Sequence, residues 1–135
     1  EPDAKLYTYE INDEQEDFTR PWIENSPVAD RIDFRIGDAA QDAPRFGVMF
    51  DLVFIDGDKR HYVETFEALL PVINKGGFVL ADNTLWDGHV TDPAYDRDQQ
   101  TVGIRRFNDY IAANPQVEQV ILPLRDGLTL IRIKS

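Results

Sequence analysis

Apolar positions along this chain follow two rhythms, one alternating and one helical. Residues 5–11 (KLYTYEI) are aromatic and β-branched and predict a strand. Asn12-Asp13, followed by Glu14 and Glu16, makes a helix start, because a side-chain oxygen can satisfy a free N–H and acids suit the positive end of the helix dipole. That helix is expected to reach about Asn25, with a kink or a late restart at Pro21, which has no N–H to donate. A second strand is expected over 31–36, ended by Gly37-Asp38. Residues 50–55 (FDLVFI) are almost continuously apolar, the pattern of a central parallel strand buried on both faces. Over 60–73, Tyr62, Val63, Phe66, Leu69, Leu70 and Ile73 fall at helical spacing, and Lys75-Gly76-Gly77 is expected to close that helix as a glycine cap. Residues 78–81 predict another buried strand, and 84–100, polar with Gly88 and Pro93, predict loop. Residues 101–113 predict a helix stopped at Asn114-Pro115. Two last strands, 117–122 and 128–133, flank Arg125-Asp126-Gly127, where Asp-Gly predicts a tight hairpin.

Strands alternating with helices, then a terminal hairpin, imply an α/β sheet that is mostly parallel with one antiparallel strand. Such sheets bind ligands beyond the carboxyl ends of their strands. Acids crowd those positions: Glu10 after the first strand, Asp38 after the second, Asp56 and Asp58 after the third, Asp82-Asn83 after the fourth. Converging carboxylates repel one another unless a cation joins them. Carboxylates with one amide form a hard oxygen set that favours Mg²⁺, Mn²⁺ or Ca²⁺ over zinc. Each acid taken alone also reads as a helix cap or turn residue. Lys59, three residues past Asp56, reads either as a base held near a metal or as a solvated surface lysine.

Composition narrows the partners. Of 135 residues, 14 are Lys or Arg and 25 are Asp or Glu, a formal net charge of −11. That charge argues against a nucleic-acid partner and against an anionic membrane surface. The absence of cysteine excludes disulfides, thiolate metal sites and thiol nucleophiles, and suits a cytoplasmic location. No apolar run approaches 18 residues and no signal-peptide pattern opens the chain.

The stretches FDLVFIDGDKRHY and GGFVLADNTLWDGHV resemble the metal-dependent O-methyltransferases that use S-adenosylmethionine (SAM). The caffeoyl-CoA O-methyltransferase type and its bacterial relatives are nearest, and catechol O-methyltransferase is more distant. The similarity runs from LYTYEI through ADRIDFRIGDA to LPLRDGLTLIRI. It implies a Rossmann-like class I methyltransferase sheet. It further implies that Asp56, Asp82 and Asn83 bind one divalent cation, Mg²⁺ foremost, and that Lys59 is catalytic. Glu10, Asp38, Ala39 and Asp56 are implied to bind the methyl donor, Glu10 at the ribose hydroxyls and Asp38 with Ala39 at the adenine. Tyr62 and Trp86 fall beside the implied acceptor pocket, though both also read as loop-packing aromatics. The implied acceptor is a catechol-like phenol, and the implied assembly a homodimer or larger oligomer.

The family carries helices, a first strand and a glycine-rich loop ahead of the strand at Lys5, and none of the eight glycines here forms G-x-G-x-x-G. The chain opens Glu1-Pro2-Asp3-Ala4, with no initiator Met. It therefore reads as the carboxyl-terminal part of one methyltransferase domain spanning 1–135, with weak donor binding and little activity expected by itself. Strands at Lys5 and Phe50 would then expose apolar edges that invite pairing, including strand exchange between copies. Other readings stay open. A receiver-type signalling domain would use Asp56 as phosphoacceptor, although paired acids in an opening strand are lacking and the terminal hairpin does not fit. A metal-dependent hydrolase would draw on His61 or His89, both of which also read as ordinary surface histidines. A structural or regulatory fragment is the last alternative.

Overall fold

A computed structural model describes residues 3–135; Glu1 and Pro2, on which the cut-end reading partly rests, lie outside the described residues. The chain divides into two compact units, the first ending at Asp42 and the second comprising Ala43–Ser135.

In the first unit, β1 (Leu6–Glu10) and β2 (Ile32–Ile36) pair in parallel, with Leu6 opposite Ile32 and Glu10 opposite Ile36. A 3₁₀ turn (Asp13–Gln15) and α1 (Glu16–Glu24) connect them. Asn12 caps this segment as expected, its side chain accepting from the Glu14 N–H at 3.1 Å. Pro21 sits inside α1 without ending it; its own carbonyl accepts from the Asn25 N–H at 3.1 Å, so the ladder resumes directly after the ring. A short helix, α2 (Ala39–Asp42), follows β2.

The second unit holds β3 (Phe50–Ile55), β4 (Ile73–Asp82), β5 (Val117–Leu122) and β6 (Leu128–Ile133) in the order β3-β4-β6-β5. β3 is parallel to β4, and β6 runs against both of its neighbours, so β6 alone is reversed. The helices α3 (Tyr62–Leu69) and α4 (Gln99–Ala113) share a core with the sheet. Phe66, Ile104, Phe107, Val79 and Ile131 are all fully buried there. Phe107 meets Tyr62 and Phe66 edge-to-face, at ring centroids of 5.3 and 6.4 Å, the arrangement that ring quadrupoles favour.

Several expectations change. The run 50–55 is not a central strand: β3 lies at the edge of its sheet, Leu52 and Phe54 remain 57% exposed, and only Ile55 is fully buried. An apolar run cannot say how many layers cover it; here the shared core takes Val53 and Ile55 and leaves the alternate positions outside. Gly76-Gly77 does not cap a helix. A 3₁₀ turn (Leu70–Val72) containing Pro71 closes α3, and both glycines belong to β4. A β-carbon on Gly77 would lie 2.8 Å from the Asn74 carbonyl and 3.1 Å from that of Asp51, beside the register shift between Phe50 and Leu52, so close backbone approach requires glycine there. The hairpin joining β5 to β6 spans 123–127 rather than a tight Asp-Gly turn, with Leu122 opposite Leu128. Finally, α4 starts at Gln99 because Asp98 caps it, accepting from the Thr101 N–H at 2.8 Å and hydroxyl at 2.6 Å.

Candidate active site

Ile55 and Ala81 are register partners on parallel β3 and β4. The residues that follow them, Asp56 just past the end of β3 and Asp82 the last residue of β4, therefore stand at the ends of neighbouring strands, about 5 Å apart at the backbone. Just beyond, Asn83 adopts a left-handed backbone (φ 58°), which Asn tolerates better than most residues. Asp82 Oδ1 accepts from the Asn83 N–H at 2.7 Å, and Asn83 Nδ2 donates to Asp126 Oδ2 at 2.8 Å. The 123–127 loop is joined to this turn by main-chain bonds. Thr84 N–H donates to the Gly127 carbonyl at 3.0 Å, and Leu85 and Trp86 N–H groups donate to that of Asp126 at 2.8 and 3.1 Å. Beneath them the buried Thr129 hydroxyl donates to that of Thr84 at 2.7 Å, and Asn108 Nδ2 on α4 donates to the Thr84 carbonyl at 2.7 Å.

Lys59 is not a solvated surface lysine. It is 8% exposed, and its Nζ donates to Asp56 Oδ1 at 3.0 Å. The ammonium lies 5.2 Å from the Tyr62 ring centroid and 5.7 Å from that of Trp86, within the range of cation–π attraction. Its 3₁₀ turn (Lys59–His61) is capped by Asp58, which accepts from the Arg60 N–H at 3.0 Å. From α4, Gln100 Oε1 accepts the Lys59 N–H at 3.1 Å.

The two aromatic expectations separate. Tyr62 is 1% exposed, and its hydroxyl is shared between the carbonyls of Ile55 and Asp82 at 3.2 and 3.1 Å. It ties the ends of β3 and β4 together from below and offers an acceptor no surface. Burial, reinforced by the charges of Asp56, Asp82 and Asp126, pushes its phenol well above the usual range, so it stays a proton donor. Trp86 is half-buried, with its backbone left-handed (φ 47°).

Among the described residues, no three His, Asp or Glu side chains gather closely enough to hold an ion by themselves. A cation at Asp56 and Asp82 would draw its third protein oxygen from Asn83. His61 is exposed, with Nδ1 3.5 Å from Asp58 Oδ2, and His89 stacks on Tyr95 at 3.6 Å, so neither completes a hydrolase-type ligand set.

The O-methyltransferase family profile matches residues 1–134. The chain belongs to the O-methyltransferase family. Caffeoyl-CoA O-methyltransferases from Mesembryanthemum crystallinum and Petroselinum crispum are 38% and 36% identical to it, in alignments covering 96% of this chain. The chain spans 56% and 58% of those two proteins, little more than half their length. A solved structure of the O-methyltransferase TomG from Streptomyces achromogenes, involved in tomaymycin synthesis and in complex with SAM, matches at TM-score 0.89 and 28% identity. That match covers 100% of this chain and 64% of TomG. The α/β sheet, mostly parallel with a terminal antiparallel hairpin, is thus the class I methyltransferase sheet. The family match displaces the receiver and hydrolase readings. No helix among the described residues is long and apolar enough to cross a membrane.

In this O-methyltransferase chain, the first unit also gathers its implied donor-side residues at one strand end. Glu10 faces Ile36 across the ladder, and the Gly37 N–H donates to the Glu10 carbonyl at 2.9 Å. Glu10 Oε1 accepts from the Asn12 N–H at 2.8 Å. Asp38 takes the Ala40 N–H at 2.9 Å and Gln41 Nε2 at 3.0 Å, and Ala39 opens α2 behind it. Asp38 therefore also serves as the turn-forming acid that its sequence position allowed. Sequence reading missed Asp126, Gln100 and the Thr84–Thr129 pair. Only Asp126 carried a signal, its Asp-Gly pairing, and that signal pointed to a turn.

Proposed function

We propose that the full-length protein transfers a methyl group from SAM to a hydroxyl of a small, catechol-like phenol, assisted by a divalent cation. The observation that carries this reading is that Asp56 and Asp82 follow register partners on neighbouring parallel strands, with Asn83 next in the chain and buried Lys59 held on Asp56. The donor set suits Mg²⁺ foremost, and Mn²⁺ or Ca²⁺ as well: two carboxylates supply charge, and the amide adds an oxygen without adding more. The amide nitrogen is already committed to Asp126, which leaves its oxygen for the ion. When bound, the cation would supply Lewis-acid stabilisation of the negative charge that develops on the acceptor oxygen. Lys59 Nζ, in its neutral amine form, takes up or relays the acceptor's hydroxyl proton and becomes the ammonium that donates to Asp56. Glu10 accepts from the donor's ribose hydroxyls, Asp38 and Ala39 flank the adenine, and Asp56 borders donor and cation alike. Trp86 stands at the acceptor side. Much of the remaining rate enhancement comes from holding methyl carbon and oxygen in line.

The same reading makes this a cytoplasmic enzyme of small molecules rather than of nucleic acid or membranes, in keeping with its net charge of −11. It also makes the enzyme a homodimer or larger oligomer, in keeping with the exposed apolar side chains of β3.

The test uses full-length protein with SAM and a 3,4-dihydroxyphenyl acceptor. Chelation should abolish turnover and Mg²⁺ restore it, Asp82→Ala should remove the metal-dependent rate, and Glu10→Ala should weaken SAM binding in calorimetry. Turnover indifferent to chelation and to Asp82→Ala would remove the cation from the mechanism.

A further inference from the structure

We infer that Asp126 is a positioning residue that sets which end of the Asn83 amide faces the cation, an inference that rests on the cation reading above. Asn83 Nδ2 donates to Asp126 Oδ2 at 2.8 Å across 43 residues of chain. A planar amide presents NH₂ at one end and oxygen at the other, and the two ends have nearly the same shape. A carboxylate can only accept, so Asp126 selects the NH₂ end and leaves Oδ1 turned away from it. A cation needs that orientation, because an amide nitrogen offers it no lone pair.

The carboxylate has work separate from the turn it belongs to. The turn is closed by main-chain carbonyls: Asp126 O takes the Leu85 and Trp86 N–H groups, and Gly127 O takes that of Thr84. None of these needs the Asp126 side chain. They do fix where that side chain starts, and two strained or close-packed neighbours fix it further. Arg125 is left-handed (φ 51°), and a β-carbon on Gly127 would lie 2.6 Å from Leu85 Cγ and 2.7 Å from Leu85 N. On the other side, Asn83 is itself held left-handed at φ 58°. Both partners of the bond are thus set by backbone.

The experiment is Mn²⁺ binding by calorimetry to the full-length protein and its Asp126→Asn and Asp126→Glu variants, in low and high salt. Outer partners that orient metal ligands typically contribute roughly 10- to 100-fold in affinity, and Asp126→Asn should lose about that much. An asparagine there can accept or donate, so it no longer selects one end of Asn83. Asp126→Glu, still an acceptor only, should recover most of the loss. The deficit of Asp126→Asn should persist in high salt, whereas a mere loss of surface charge would be screened away. Wild-type affinity in Asp126→Asn, or a deficit that vanishes in high salt, overturns the inference while leaving the cation reading intact. If the wild type binds no Mn²⁺, the cation reading fails first. Should Asp126→Asn not fold, the unsubstituted protein decides by NMR. On Mg²⁺ addition the Asn83 side-chain carbonyl carbon should shift while its NH₂ stays bonded to Asp126, and release of that NH₂ overturns the proposal.

Discussion

The α-carbon of Gly103 lies so close to the carbonyl of Lys59 that a β-carbon there would come within 2.4 Å of its oxygen. α4 therefore meets the Lys59 turn main chain to main chain, and Gln100, on the same helix, takes the Lys59 N–H. Gly103→Ala must push the helix off the turn, because the obstructing atoms are backbone. Overpacking of this kind costs about 1–3 kcal/mol. The expected result is a lower Tm and a fall in kcat larger than any change in KM. An unchanged kcat in a destabilised variant would show that Lys59 does not depend on α4 for its place.

Lys59 itself should be needed for chemistry and not for donor binding. Lys59→Met keeps an unbranched apolar side chain but removes the nitrogen that lies over Tyr62 and Trp86, and with it the proton acceptor. Its kcat in the full-length protein is expected to drop by about 10²–10⁴, the span typical of a lost general base. SAM affinity by calorimetry should stay near wild type. Lys59→Arg should not restore turnover, since guanidinium does not give up its proton near neutral pH.

The Thr84–Thr129 hydroxyl pair is buried where no water replaces a lost partner. Thr129→Val strands the Thr84 hydroxyl and should cost about 1–3 kcal/mol in urea denaturation. Replacing both threonines with valine removes the polar pair together, so the double variant should lose less than the sum of the two singles. Strict additivity would mean that the hydroxyls do not stabilise each other.

Asp98 supplies a pH dependence. The Thr101 hydroxyl and N–H hold its carboxyl below the usual carboxylate range, with the Trp86 indole adding to the effect. A depressed folded pKa stabilises the fold above the ordinary carboxylate pKa, and that stabilisation is lost as pH falls through the folded value. The wild-type Tm should therefore decline on acidification below about pH 4. Asp98→Asn keeps a capping oxygen but no titrating group, so its decline in that window should be shallower. Parallel curves for the two proteins would remove Asp98 from the acid response.

Much of the local structure was legible in order. Strands 50–55, 117–122 and 128–133 begin and end where their apolar runs do. Asp56, Lys59, Asp82 and Asn83 stood out because each follows such a run, and strand ends are where this fold places ligands. Gly76-Gly77 misled because a glycine that ends a helix and a glycine that admits a neighbouring strand look alike in sequence. The edge position of β3 was hidden for a related reason: Leu52 and Phe54 are as apolar as Val53, and only the packing distinguishes them.

The order of residues by itself determined where most strands and helices lie, and that oxygen donors rather than sulfur or imidazole stand at the strand ends, because propensity, periodicity and side-chain chemistry act over a few neighbours. Tertiary structure alone decided that Lys59 is buried on Asp56, that Tyr62 sits beneath the site, and that Asp126 holds Asn83. Each of those is a contact made by chain folding, and in the last two the partners stand 20 and 43 residues apart in sequence. No local rule encodes such a distance; it is settled by strand register and by how closely one backbone can approach another.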